Sequence, residues 1–166
     1  LGFIAEAVLN TVDDYKEKST AMLYFPDIYE ACKAIVPLTE SGAEAVELMD
    51  RASLRSIEDI KGTPLILKTL PESAAALLIE YQANTKEELT LKINQFLEVA
   101  KDLRLLNPAV FTDVPGEQAF LWKLRKGMFP SVGAVRASGS TVILEDVAFP
   151  VATLGDAILD LQELFK

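Results

Sequence analysis

Apolar positions along the chain fall into two rhythms, alternation and a repeat of three to four. The first extended run mixes apolar and small residues with Glu6 over 2–12, and a charged turn from Asp13 to Lys18 follows it. Ser19 to Phe25 is a second strand, rich in aliphatic and aromatic side chains. Pro26 then opens a helix, because a first-turn residue needs no N–H partner. That helix carries Ile28, Ala31, Cys32, Ile35 and Val36 on one stripe. Glu44 to Met49 is a short strand with Val46 and Leu48 on one face and Glu47 and Met49 on the other. Asp50 caps the helix from Arg51 to about Asp59. Gly62-Thr63-Pro64 interrupts the chain, and 64–70 reads as a short helix or an extended piece.

The second half repeats the alternation. Ala75 to Gln82 is a strand, and Thr85-Lys86-Glu87-Glu88 is a capping box, with the threonine oxygen and Glu88 taking up orphan N–H groups. The helix behind it reaches about Leu103, with Leu89, Ile93, Phe96, Leu97, Ala100 and Leu103 on its apolar face. Ala109 to Val114 is a strand, and Pro115 opens a helix to about Lys126. Gly127 to Gly139 reads as loop, and Thr141 to Phe149 as a strand closed by Pro150. The last helix buries Leu154, Ala157, Ile158, Leu161, Leu164 and Phe165.

No glycine-rich loop follows a strand, which argues against a doubly wound nucleotide-binding domain. Each helix has one apolar stripe, the pattern of helices lying on one face of a sheet. The expected architecture is therefore α+β, a ferredoxin-like antiparallel sheet of the split β-α-β plan with helices packed on one face. Phe25-Pro26 plus helix and Phe149-Pro150 plus helix form a faint repeat, consistent with duplicated units. The chain opens on Leu1 and closes in mid-helix on Lys166 with no strand after that helix. Residues 1–166 are thus expected to be a single, incomplete domain excised from a longer chain.

Composition narrows the chemistry. The 166 residues hold no histidine and one cysteine, so no Ser-His-Asp machinery, His-ligated metal, internal disulfide or Cys-rich cluster can be built from them. No signal peptide precedes the first strand, and no apolar run has the length to span a membrane. A net charge of −9 argues against general nucleic-acid affinity. Cytoplasmic residence, with peripheral docking at the inner face of a membrane as a variant, is the expectation.

The charge is uneven. From Gln118 to Leu144 there is no acid, but there are Lys123, Arg125, Lys126 and Arg136, a window of +4. Such cations near a glycine-containing loop suit a carboxylate, arginine in bidentate fashion. Alternatively, Lys123, Arg125 and Lys126 simply match the dipole at the end of a helix; Arg136 lies outside any predicted helix. Glu145 and Asp146 stand side by side in an apolar strand, so one should face the core or a cleft, where the upstream arginines are candidate partners. A bulge or sheet edge, with both in water, is the other account. Cys32 lies on an apolar stripe and reads as an inert buried thiol. Trp122 reads as a core or interface residue. The four tyrosines are scattered, and the serines lack a base for nucleophilic chemistry.

The run Trp122-Lys123-Leu124-Arg125-Lys126-Gly127-Met128-Phe129-Pro130-Ser131-Val132-Gly133-Ala134-Val135-Arg136, followed by Leu144-Glu145-Asp146-Val147-Ala148-Phe149-Pro150, resembles the C-terminal cap domain of FAD-linked oxidases. Within the vanillyl-alcohol-oxidase-type flavoproteins it is most similar to the D-lactate dehydrogenase and glycolate oxidase subunit group. The opening Leu1-Gly2-Phe3-Ile4 resembles the family segment that leaves the FAD-binding domain. The pattern resembles the large members that also carry iron–sulfur modules.

The resemblance implies a ferredoxin-like cap over the flavin that forms one wall of the substrate pocket. It implies a parent enzyme that oxidises a 2-hydroxy acid to the 2-oxo acid, hydride passing to the flavin and electrons then to an unspecified acceptor. Arg125 matches the family arginine that binds the substrate carboxylate, and Arg136 is a second candidate. Asp146 matches a recurrent acid with a supporting role, and Glu145 stands beside it without a firm counterpart. Leu144 occupies a position where some relatives place a lysine, so that contact does not carry over. The family's His-x-x-x-Gly-Asn-x-His stretch is not in the chain, and the divalent metal some relatives hold there belongs with it. FAD itself is expected to be bound mainly by a domain preceding Leu1, and the piece alone to be inactive. The alternative of another class is a free-standing ferredoxin-like ligand-binding or regulatory module with an anion site in the +4 window.

Overall fold

A computed structural model describes residues 3–11, 13–135, 138–140 and 148–164. Four strands form one antiparallel sheet: β1 (Glu17–Phe25), β2 (Ala45–Met49), β3 (Ala75–Ala83) and β4 (Phe111–Thr112). Their spatial order is β2-β3-β1-β4. β1 and β2 run the same way with β3 inserted between them. That arrangement is the split β-α-β, and with β4 on the other side of β1 it is the ferredoxin-like plan. The α+β antiparallel expectation holds.

The five α-helices are α1 (Ile28–Glu40), α2 (Arg51–Ile57), α3 (Lys86–Ala100), α4 (Pro115–Val135) and α5 (Leu154–Leu164). Local chemistry starts them where the sequence indicates. Asp27 accepts from the Glu30 N–H at 2.8 Å and Asp50 from the Ser53 N–H at 2.8 Å. Thr85 accepts from Glu88 N–H at 3.2 Å, while Glu88 reaches one residue further back than a capping box requires, to the N–H of Asn84. The ambiguous stretch is a short 3-10 helix, Leu65–Thr69.

Strand alternation splits the interior into two cores. On one face Leu23, Phe25, Leu77, Ile79 and Tyr81 pack under α1 and α3, with Leu154 and Ile158 of α5 against the same cluster. Tyr81, Phe96 and Phe111 meet edge to face there, with centroids 4.9–6.1 Å apart. α5 approaches α1 closely because Gly155 has no side chain; a Cβ there would lie 3.0 Å from the Tyr29 ring. On the other face Met22, Tyr24, Ala76 and Leu78 pack against Leu54, Ile57, Leu67, Leu124 and Met128. The expectation that helices occupy one face therefore holds for α1, α3 and α5, while α2 and α4 cover the opposite face. A single apolar stripe tells that a helix lies on a sheet, not on which side of it.

Three further expectations change. Residues 3–11 carry no strand and are exposed; a β-prone composition needs a neighbouring strand to satisfy, and these residues find none among those described. The expected strand at 109–114 pairs only at Phe111 and Thr112, opposite Ala21 and Thr20. The stretch after Lys126 is not loop: α4 continues to Val135, through Gly127 and Pro130. Proline removes one rung of the helix, but Leu124 and Met128 are buried against the sheet and hold this line of the helix in place. The expected strand from Thr141 falls mostly outside the described residues, and Ala148 and Phe149 have no regular structure.

Candidate functional site

The second face of the sheet carries its polar residues in one corner. Register places Ala45 opposite Glu80, Glu80 opposite Thr20, and Thr20 opposite Thr112. The next row brings Glu47 opposite Leu78, so Glu47 and Glu80 are diagonal neighbours on adjacent strands. Helix α4 runs over this corner and faces it with Gln118, Trp122 and Arg125, spaced four and three apart as one helix face requires.

Gln118 and Trp122 donate hydrogen bonds to the sheet side, and Arg125 makes an ion pair with it. The Gln118 amide bonds to the Lys18 carbonyl at 2.7 Å and the Thr112 carbonyl at 3.0 Å. The Trp122 indole N–H donates to Glu80 Oε2 at 2.6 Å. Arg125 Nη2 lies 2.9 Å from Glu47 Oε2. Glu80 also accepts from the Thr20 hydroxyl at 2.8 Å and from the Gln82 amide at 2.5 Å. Its side chain is buried, and it makes no ion pair among the described residues. A buried carboxylate must be satisfied by donors, and here three neutral ones do so.

Arg125 is half-buried, with 37% of its side chain exposed and 39% of that of Glu47. Its Nε is buried with no partner among the described residues. Its contact with Glu47 is an ion pair exposed enough to contribute only about 0–1 kcal/mol. Lys123 and Lys126 are exposed on the outer side of α4. Since α4 runs nine residues past Lys126, these cations sit in mid-helix, and the dipole account of the +4 window does not hold. Arg136, Glu145 and Asp146 lie outside the described residues.

Beside this corner is a cavity of about 760 Å³, open to solvent. Met22 and Tyr24 form its floor, Pro64 and Ile66 one wall, Val110 the edge, and Phe120 and Leu121 of α4 the other wall. Gly62 on its rim adopts φ 94°, and a Cβ there would lie 3.3 Å from the Phe120 ring. The Asn107 side chain adds a polar point: its Oδ1 is buried without a partner among the described residues. Arg125 does not line the cavity but stands one helical turn beyond Leu121, about 6 Å further along the axis. Burial pushes the Tyr24 phenol far above its ordinary range, so this hydroxyl stays neutral.

In the doubly wound fold a glycine-rich turn between a strand and a helix holds the diphosphate of a dinucleotide. Gly42, Gly62 and Gly139 have positive φ, and none of them stands in such a turn. Among the described residues no three His, Cys, Asp or Glu side chains converge to hold a metal, and no helix is long and apolar enough to cross a membrane. Cys32 is buried with its thiol pushed up to about 11 by desolvation, which leaves it unreactive at neutral pH.

Sequence reasoning placed Arg125 and Trp122 in one window but missed their partners. Glu80 carries the same signal that drew attention to Glu145 and Asp146, a lone acid in the apolar strand Ala75-Ala76-Leu77-Leu78-Ile79-Glu80-Tyr81. Glu47 carries less, since alternation in β2 already accepts a polar residue at its position. A family model described as FAD linked oxidases, C-terminal domain, matches residues 15–166. No curated protein matches the chain.

Proposed function

Because the chain belongs to the family of FAD-linked oxidase C-terminal domains, we propose that it forms the substrate-side wall of a parent flavoenzyme that oxidises a 2-hydroxy acid. The family makes the parent an FAD-dependent oxidoreductase. The finer reading, a D-lactate dehydrogenase or glycolate oxidase type of enzyme whose FAD-binding domain packs against this one, rests on the sequence of the 122–150 region. The observation that carries it is Arg125: a guanidinium held on the sheet face by one weak, exchangeable partner, next to an apolar cavity.

The division of labour follows from the residues. FAD, when bound by the parent, supplies the hydride acceptor. This chain supplies shape and charge. Met22, Tyr24, Phe120 and Leu121 give the cavity its apolar surface. Arg125 binds the substrate carboxylate, exchanging its contact with Glu47 for a stronger charge-assisted one. Arg136 is a second carboxylate partner, and Glu145 and Asp146 support the two arginines.

Arg125→Met in the FAD-containing parent enzyme is the test. Loss of a charge-assisted contact of about 1.5–3 kcal/mol should raise KM for the 2-hydroxy acid and lower kcat/KM roughly 10- to 100-fold. The corresponding neutral 2-hydroxy amide should respond much less. Unchanged kinetics with the acid would remove Arg125 from the site.

A further inference from the structure

We propose that Glu80 is a positioning residue for Arg125, acting through the indole of Trp122. This inference rests on the reading of Arg125 as the acid-binding cation. Glu47 and Glu80 are diagonal neighbours on the sheet, and Arg125 and Trp122 are three residues apart on α4. Two carboxylates on a rigid surface thus meet an indole N–H and a guanidinium on one helix face. The two attachments differ in kind. The Glu80–Trp122 bond is short, at 2.6 Å, and its acceptor is buried and held from the sheet by Thr20 and Gln82. The Arg125–Glu47 pair is open to water on both sides.

This difference assigns roles. A binding arginine must be able to leave its resting partner, so the Glu47 pair cannot also fix the helix. Leu124 and Met128 pack α4 onto the sheet, and a directional contact within a turn has to fix its register while Arg125 exchanges partners. Trp122 is the residue placed to do so, because its side chain lies on the same helix face one turn earlier. The buried carboxylate is suited to anchoring it. Glu80 has no cation of its own among the described residues, so its charge is directed to the N–H and O–H donors around it. Trp122 also explains why an indole stands where an apolar ring would fill the space equally well, since only the indole offers the N–H.

The test uses the FAD-containing parent enzyme and a double-mutant cycle. Trp122→Phe keeps the ring and removes the donor. It should raise KM for the 2-hydroxy acid roughly 3- to 10-fold with kcat changed less than about twofold, and add nothing further in an Arg125→Met background. Glu80→Leu should act in the same way, and Glu80→Gln, which keeps one acceptor oxygen but loses the charge, should fall between wild type and Glu80→Leu. If Glu80→Leu does not fold, Trp122→Phe carries the test alone. An unchanged KM in Trp122→Phe, or an equal rise in both backgrounds, overturns the positioning role and leaves Arg125 in place. An unchanged KM in Arg125→Met overturns the acid-binding reading itself, and this inference with it.

Discussion

The two faces of the sheet are built from alternate residues of the same strands, yet they serve different ends. Under α1 and α3 the face is dry, with Ala21, Phe25, Leu77, Ile79, Tyr81 and Phe96 fully buried and three aromatic rings edge to face. Under α2 and α4 the same strands present Thr20, Glu80 and Glu47, and beside them Met22 and Tyr24, themselves buried, line the cavity. One face supplies rigidity, the other holds polar groups that need a rigid base to stay in register. A hydroxyl pair within the dry core, Tyr81 with Ser41 at 2.6 Å, is internally satisfied.

Truncation on the dry face should have the largest effect on stability. Phe96→Ala removes a ring packed against Tyr81 and Phe111 and should cost about 3–5 kcal/mol in denaturant unfolding of the chain. A loss below about 1 kcal/mol would show that the dry face is not the rigid one. Thr20→Val tests the polar face. It takes one donor from Glu80 Oε2 and leaves the indole as the remaining contact of that oxygen, so a loss of about 1–2 kcal/mol is expected. Equal losses at Phe96 and Thr20 would erase the distinction between the faces. The smallest effect near neutrality is that of pH. Burial raises Cys32 and Tyr81 on the dry face and Tyr24 on the other, so the folded state favours their neutral forms. Stability should be at full value below the ordinary thiol pKa of 9.0 and decline as pH rises toward 11, because the unfolded chain then ionises while the folded one resists. Rising stability over that interval would contradict it, and calorimetry from pH 8 to 11 decides.

Much of the fold could be read from local patterns. The caps at Asp50 and Thr85 stand where residue type and spacing place them, and β1, β2 and β3 match their alternating runs within a residue or two. The misreadings have two causes. Gly127 and Pro130 are ordinarily breakers, but α4 passes through both because Leu124 and Met128 are anchored from the sheet. Phe3, Ile4, Val8 and Leu9 look strand-forming, but a strand requires a neighbour. In the first case tertiary contacts overrode local preference, and in the second no described strand stands alongside to realise it.

The candidate site divides in the same way. Arg125 and Trp122 were visible as members of a cationic window and of a family resemblance. Neither Glu47 nor Glu80 was, since a pairing between residues 42 or 78 positions apart leaves no trace in a local pattern.

By itself, then, the sequence determined the α+β class, the strands and most helix starts, and the family, because these depend on side-chain periodicity, capping and motifs confined to neighbouring residues. Tertiary structure alone decided which face each helix covers, how far α4 extends, and which acids meet Trp122 and Arg125. These depend on burial and hydrogen bonding across the sheet, where the free energy of a contact is shared by residues far apart in the chain.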